Sequence, residues 1–266
     1  MNKTFGTSLL AALAIAFGTL QSAAAAEKLV INPPPTAKNW ADIATLPDWS
    51  GIWTPNISDQ DRKAKSDMPP WNPKAMEQVN WQLAEEKAGR PPPIFVNCLP
   101  EAMPGWMLVS HNSMEILFTP GRVTMLGESD GGRLRRIYTD GRKHPDDPDP
   151  TFHGHSIGHW EGDTLIVDTI GLNGRTRPLN GYFANAVSAT PASLKVPRLS
   201  TSDQMHLSER FRLVGGDKIL EVTRTITDPK AYLRPFTNVI YMERRPDLDV
   251  QEYYCSDNMR NSDEGH

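Results

Sequence analysis

From residue 106 to residue 255 the chain consists of short runs in which apolar and polar side chains alternate, each closed by a glycine or proline turn. Alternation with period two is the signature of a strand with one face buried, and closely spaced strands with turn signals describe an all-β domain. The runs fall at 106–111, 113–119, 122–129, 133–140, 155–161, 164–171, 206–214, 219–228, 237–244 and 250–255, with Pro120-Gly121, Gly131-Gly132, Gly162-Asp163 and Gly215-Gly216-Asp217 as turns. Strands in this order predict an antiparallel meander that closes into a lipocalin-like β-barrel, because closure pairs the first strand with the last and removes the exposed edges; a β-sandwich is the alternative. Two connections exceed a simple hairpin, residues 141–154 and 173–205. Long connections in compact domains are commonly functional, which makes these two the candidate covers of the barrel's mouth.

The register of one hairpin can be worked out from its apolar residues, and that of a second bears on a candidate site. In the hairpin 206–228, setting Leu213 against Leu220 places Phe211 opposite Val222, Leu207 opposite Ile226 and Glu209 opposite Arg224. Glu209 and Arg224 then share an otherwise apolar, inward face, either as a structural ion pair or as a polar anchor for a ligand's oxygen. In the hairpin around Gly162-Asp163, pairing Glu161 with Thr164 sets Asp168 opposite Ile157 and diagonal to His155 and His159 on one side of the sheet, whereas a one-residue change in the loop would put Asp168 on the opposite face from both histidines. A carboxylate beside an imidazole fixes its tautomer and raises its basicity, as a general base requires. His155 and Asp168 are therefore the candidate catalytic pair, with Tyr138 to stabilise developing negative charge and Trp160 as an aromatic contact. The run 133–142 carries Arg133, Arg135, Arg136 and Arg142. Either parity turns an arginine inward, and Arg136 is the candidate clamp for a carboxylate or phenolate. His153 and His155, joined by His144, Asp146, Asp147 or Asp149 from the preceding loop, are the weaker alternative of a metal site, in a spacing that matches no metal motif. No metal and no cofactor is expected, since no phosphate loop, dinucleotide fingerprint or nucleophile elbow is present.

The first 26 residues read as a signal peptide: Lys3, an apolar run at 9–20, and Ala24-Ala25-Ala26 before Glu27. That run is too short to span a bilayer comfortably, so periplasmic or secreted protein without stable membrane insertion is expected. Removing the segment changes the formal net charge from −4 to −5. An acidic surface is repelled by phosphate, which excludes nucleic acid as a partner. Residues 27–103, rich in proline and tryptophan, read as an arm wrapped on a barrel domain at 104–266, with a short strand around residues 48–53 and one helix at 73–88 started by Pro73 and ended by Gly89. Cys98 and Cys255 are the two cysteines of the chain, and in an oxidising compartment they are expected to pair.

The stretch His153-Gly-His-Ser-Ile-Gly-His-Trp-Glu-Gly-Asp-Thr-Leu-Ile-Val-Asp168 resembles a family of secreted bacterial proteins with no established activity. The likeness extends to Trp49-Ser-Gly-Ile-Trp53, Cys98-Leu-Pro, Met114-Glu-Ile-Leu-Phe-Thr-Pro120, Arg136-Ile-Tyr-Thr-Asp-Gly-Arg142 with His144-Pro145, Glu209-Arg210-Phe211, Asp228-Pro-Lys-Ala-Tyr232 and Glu252-Tyr-Tyr-Cys255. It implies a lipocalin-like appearance and a fixed imidazole at His155, with His153 and His159 at positions that accept other side chains. Three functions remain open. One is a binding module that holds a small, partly apolar or aromatic compound in its interior. Another is a cofactor-independent lyase, isomerase or hydrolase that acts on such a compound through His155 and Asp168. The third is a structural envelope protein. The partner expected is a small molecule, and the oligomeric state is left open.

Overall fold

A computed structural model describes residues 31–56, 58–59, 69–77, 80, 84, 88, 102–108, 113–128, 133–174 and 202–252. The signal-peptide reading, Cys98, Cys255 and most of the 173–205 connection lie outside these residues.

Nine strands form a closed barrel in sequence order, not a sandwich. They are β1 (Gly51–Pro55), β2 (Met114–Thr119), β3 (Arg122–Gly127), β4 (Arg133–Tyr138), β5 (His155–Glu161), β6 (Thr164–Ile170), β7 (His206–Val214), β8 (Ile219–Thr227) and β9 (Phe236–Arg244). Both hairpins adopt the expected register, with Glu161 opposite Thr164, Ile157 opposite Asp168, and Glu209 opposite Arg224.

The meander is interrupted once. β4 and β5 run parallel, paired at Ile137–Ser156 and Tyr138–Ile157, while every other junction is antiparallel. The reason is parity. Nine strands that strictly alternate in direction would bring β1 and β9 together parallel, and a single parallel step elsewhere restores the antiparallel β1–β9 junction that is observed. A parallel neighbour can be reached only by carrying the chain back along the strand, which takes a dozen residues or more. That requirement accounts for the long connection between Tyr138 and His155, which returns outside the wall and enters β5 at Gly154. Gly154 has φ +69°, and a Cβ there would lie 2.6 Å from the Ile170 carbonyl oxygen, so only glycine fits.

The segment read as an arm contributes to the wall. β1 pairs with β2 on one side and β9 on the other, and residues from Pro35 onward form one compact unit. Trp49 and Trp53 are buried, and the Trp53 indole N–H donates to the Trp49 carbonyl at 2.8 Å. Each large apolar side chain removed from water stabilises the fold by roughly 2–3 kcal/mol, enough to draw a five-residue strand into the closure. Helix α1 (Ala37–Ile43), capped by a reciprocal Thr36–Asn39 pair, buries none of its residues and was not expected from the sequence. Residues 73–77, 80 and 84 are helical as expected, and the cap is Asn72, whose side chain accepts from Ala75 N at 2.8 Å.

The run at 106–111 was expected as a strand, but its first part is a single 3-10 turn, Gly105–Leu108, with every residue buried. This turn inserts among inward-pointing side chains. Arg224 Nη1 donates to Pro104 O at 2.9 Å, and Arg135 Nη1 lies 3.6 Å from Met107 Sδ. A run apolar on all sides fits a plug as well as a strand, and length alone does not separate them. The expected run at 250–255 is not a strand at its described residues 250–252.

Candidate functional site

The pleat sorts the candidate residues onto two faces. Ser156 and Trp160 of β5, Val167 and Thr169 of β6, Phe211 and Glu209 of β7, and Arg135 of β4 are on the inner side. Arg136, His155 and Asp168 belong to the outer side.

Inside the barrel, Arg135 forms a two-pronged ion pair with Glu209; its Nη1 lies 3.3 Å from Oε1 and its Nη2 contacts Oε2. The same guanidinium donates to Thr169 Oγ1 at 3.1 Å and to Ser156 Oγ at 3.4 Å, and the two hydroxyls are 2.8 Å apart. Arg224, opposite Glu209 in register, donates from Nε to Asn238 Oδ1 at 3.1 Å and from Nη1 to the Pro104 carbonyl just before the 3-10 turn. The buried-pair reading of Glu209 is therefore modified: its ion-pair partner is Arg135, reached across the barrel from a strand three places away. The inward arginine of β4 is likewise Arg135 and not Arg136, which is exposed. The parity was legible in β3, because Met125 is an inward residue and Arg135 is its cross-strand partner. Trp160 packs in an aromatic group with Trp49 at 5.0 Å and Phe118 at 6.1 Å, which makes it part of the core packing at that end of the barrel.

On the outer wall, His155, Asp168, His144 and His206 form one hydrogen-bonded chain. His144, carried by the connection that returns from β4 to β5, places Nδ1 2.9 Å from His155 Nδ1 and Nε2 3.0 Å from Asp168 Oδ2. His206 Nε2 lies 2.5 Å from Asp168 Oδ1. His155 and Asp168 thus share a face as expected, but they are coupled through His144, and the site is on the wall instead of at the mouth. Sequence reasoning did not place His144 and His206 in this chain. For His206 a signal existed, since Asp168 pairs with Ser208 and its diagonal neighbour two residues back on β7 is His206. Tyr138 stacks on His155 with centroids 5.5 Å apart and planes at 25°, and the Arg142 guanidinium covers the Tyr138 ring at 3.9 Å. Asp140 holds Arg142 in place, its carboxylate kept below the usual range by that guanidinium.

With His144 neutral, the hydrogen bonds set the tautomers. An ionised carboxylate only accepts, so Asp168 takes N–H bonds from Nε2 of both His144 and His206. A neutral His144 that donates from Nε2 presents a lone pair at Nδ1, and His155 must then donate from its own Nδ1. The consequence is a bare Nε2 on His155. A proton captured there can be matched by transfer of the Nδ1 proton to His144, which leaves the positive charge beside Asp168. Burial first, then the neighbouring His144 and Arg142, lowers the pKa of His155, which keeps it neutral and able to accept.

His153 stands apart from this chain. Its ring lies 4.7 Å from that of Trp106, and its Nδ1 is 3.1 Å from the Leu134 carbonyl. Burial depresses its pKa to about 4. Asp149 is exposed. His159 faces Glu161 at 3.3 Å. Among the described residues, no group of three or more His, Cys, Asp or Glu side chains is arranged to hold a metal ion. The geometry gives the reason on the outer wall: the two nitrogens of His144 serve different partners, so the donors do not converge on one point. No helix of the described residues is long and apolar enough to cross a membrane.

No protein-family model matches the chain, and no curated protein matches it. Two solved structures of the fluorescent protein UnaG are similar to it. A point mutant of UnaG shares 12% identity over 74% of this chain and 96% of its own, with a TM-score of 0.32. The wild type shares 11% identity over 74% of this chain and 97% of its own, with a TM-score of 0.31.

Proposed function

We propose that the protein is an exported β-barrel that binds a small, partly apolar compound against its outer wall and acts on it without a cofactor, as a lyase, isomerase or hydrolase, with His155 as the general base. The observation that carries this reading is the chain from His155 through His144 to Asp168, which leaves His155 Nε2 with a lone pair and gives the captured charge a place beside a carboxylate. Tyr138, stacked on the base, is the candidate partner for negative charge that develops on the substrate. Binding deep in the barrel has less support, because the segment from Pro104 to Leu108 already engages the inward guanidiniums of Arg135 and Arg224. Export is supported by Lys3, the apolar run and the alanines before Glu27.

The test is the protonation pattern of His155 in ligand-free protein, read by imidazole nitrogen NMR at neutral pH. The expected result is a proton on Nδ1 and none on Nε2, with the pattern lost in Asp168→Asn. A proton found on Nε2 in the wild type rejects His155 as the base. Once a substrate is found by screening enolisable ketones and aryl esters, His155→Ala is expected to abolish turnover while leaving affinity within about tenfold.

A further inference from the structure

Beside His155, β4 presents a charge that has no partner among the described residues. Arg136 and His155 immediately precede the paired residues Ile137 and Ser156 on parallel strands, so they stand side by side on the outer face. Arg136 is exposed and makes no hydrogen bond or ion pair among the described residues, whereas its neighbours Arg135 and Arg142 are committed, Arg135 to Glu209 and Arg142 to Asp140. The same row continues to Ile170, which pairs with His155, and the next row holds Tyr138 and Ile157. The wall around the bare nitrogen of His155 thus combines a free planar cation, half-buried isoleucines and a phenol.

Resting on the acid–base reading above, we infer that the substrate carries a carboxylate, which Arg136 binds while the apolar body of the molecule lies over Ile157 and Ile170 and brings its reacting atom to His155. A guanidinium forms two parallel hydrogen bonds to a carboxylate, a geometry that sets orientation as well as charge. An exposed ion pair by itself contributes little, but here the ligand's body excludes water from one side of the pair. The two nearest carboxylates are already engaged. Asp140 is neutralised by Arg142, and both oxygens of Asp168 are taken by His144 and His206.

Benzoate and its uncharged counterpart benzamide are the probes, titrated into the full-length exported protein while the His155 and Tyr138 ring signals are followed by NMR. Benzoate is expected to shift both rings and to saturate in the millimolar range, with benzamide at least about tenfold weaker. Arg136→Gln should remove that preference. Arg210→Gln, on the same outer wall but paired with Glu161, should keep it. Equal binding of the two probes, no saturation by benzoate, or an unchanged preference in Arg136→Gln overturns the carboxylate assignment. The protonation pattern of His155 in the ligand-free protein is measured independently, so failure here is distinguishable from failure of the general-base reading.

Discussion

Removing the Glu209 carboxylate alone should cost the protein much of its stability. The Arg135 and Glu209 side chains are 1% and 0% exposed, and the remaining contacts of the guanidinium are the Ser156 and Thr169 hydroxyls and the Met107 sulfur. In Glu209→Ala, Arg135 keeps its hydroxyl contacts but loses the only charge in its pair. Stranding a buried charge in this way costs about 3–5 kcal/mol, against a total stability of about 5–15 kcal/mol for a typical domain. Arg135→Met should cost a similar amount by stranding the carboxylate. The double variant Arg135→Met/Glu209→Met, which removes both charges and keeps most of the volume, should be destabilised by less than either single one. The exposed pair Arg212–Glu221, at 2.9 Å, is the control, and breaking it should cost less than about 1 kcal/mol. Urea unfolding followed by tryptophan fluorescence measures all four. A cost below about 1 kcal/mol for Glu209→Ala, or a double variant that costs the sum of the singles, would refute the claim that these charges depend on each other inside the barrel.

Two further outcomes follow from the sequence and the buried groups. Because burial holds His153 at about 4, below the ordinary 6.5, the unfolded chain takes up a proton between these values that the folded chain does not, so stability falls with acidification across that window by up to about 3 kcal/mol. His155 shifts in the same direction, and His153→Gln should flatten the slope of urea midpoints against pH; an unchanged slope contradicts the assignment. The exported protein should have an intact mass that begins at Glu27 and is two hydrogens below that of the reduced chain, owing to a Cys98–Cys255 bridge; two freely alkylated thiols would exclude the bridge.

The strands β2 to β9 were legible because each buries one face, and the register of the hairpin 206–228 was legible because its apolar residues allow a single alignment, whereas the hairpin 155–170 adopts one of two registers that its sequence left open. Strand β1 was legible as a strand but not as a wall element, since its partners lie more than 50 residues away on β2 and farther still on β9. The parallel step was hidden for the same reason: the ten runs expected would close antiparallel without a break, and only the nine-strand wall that includes β1 requires one. On the candidate site, the shared face of His155 and Asp168 came from local pairing. The place of His144 did not, because loop length sets reach and not pose. Glu209 was matched to its strand neighbour Arg224, while its ion pair with Arg135 crosses the lumen, which no pairing rule addresses.

The parallel junction has one more consequence. It joins β4 to β5 through two paired positions, whereas β7 and β8 are joined through nine. A seam that short is where the wall breathes, opening locally at a small fraction of the free energy of global unfolding. The proposed general base stands at one lip of this seam and the proposed anion-binding arginine at the other. A molecule held by both would act as a staple across the gap, and amide hydrogens on the two lips would then exchange more slowly in its presence, while those of the β7–β8 ribbon would not change.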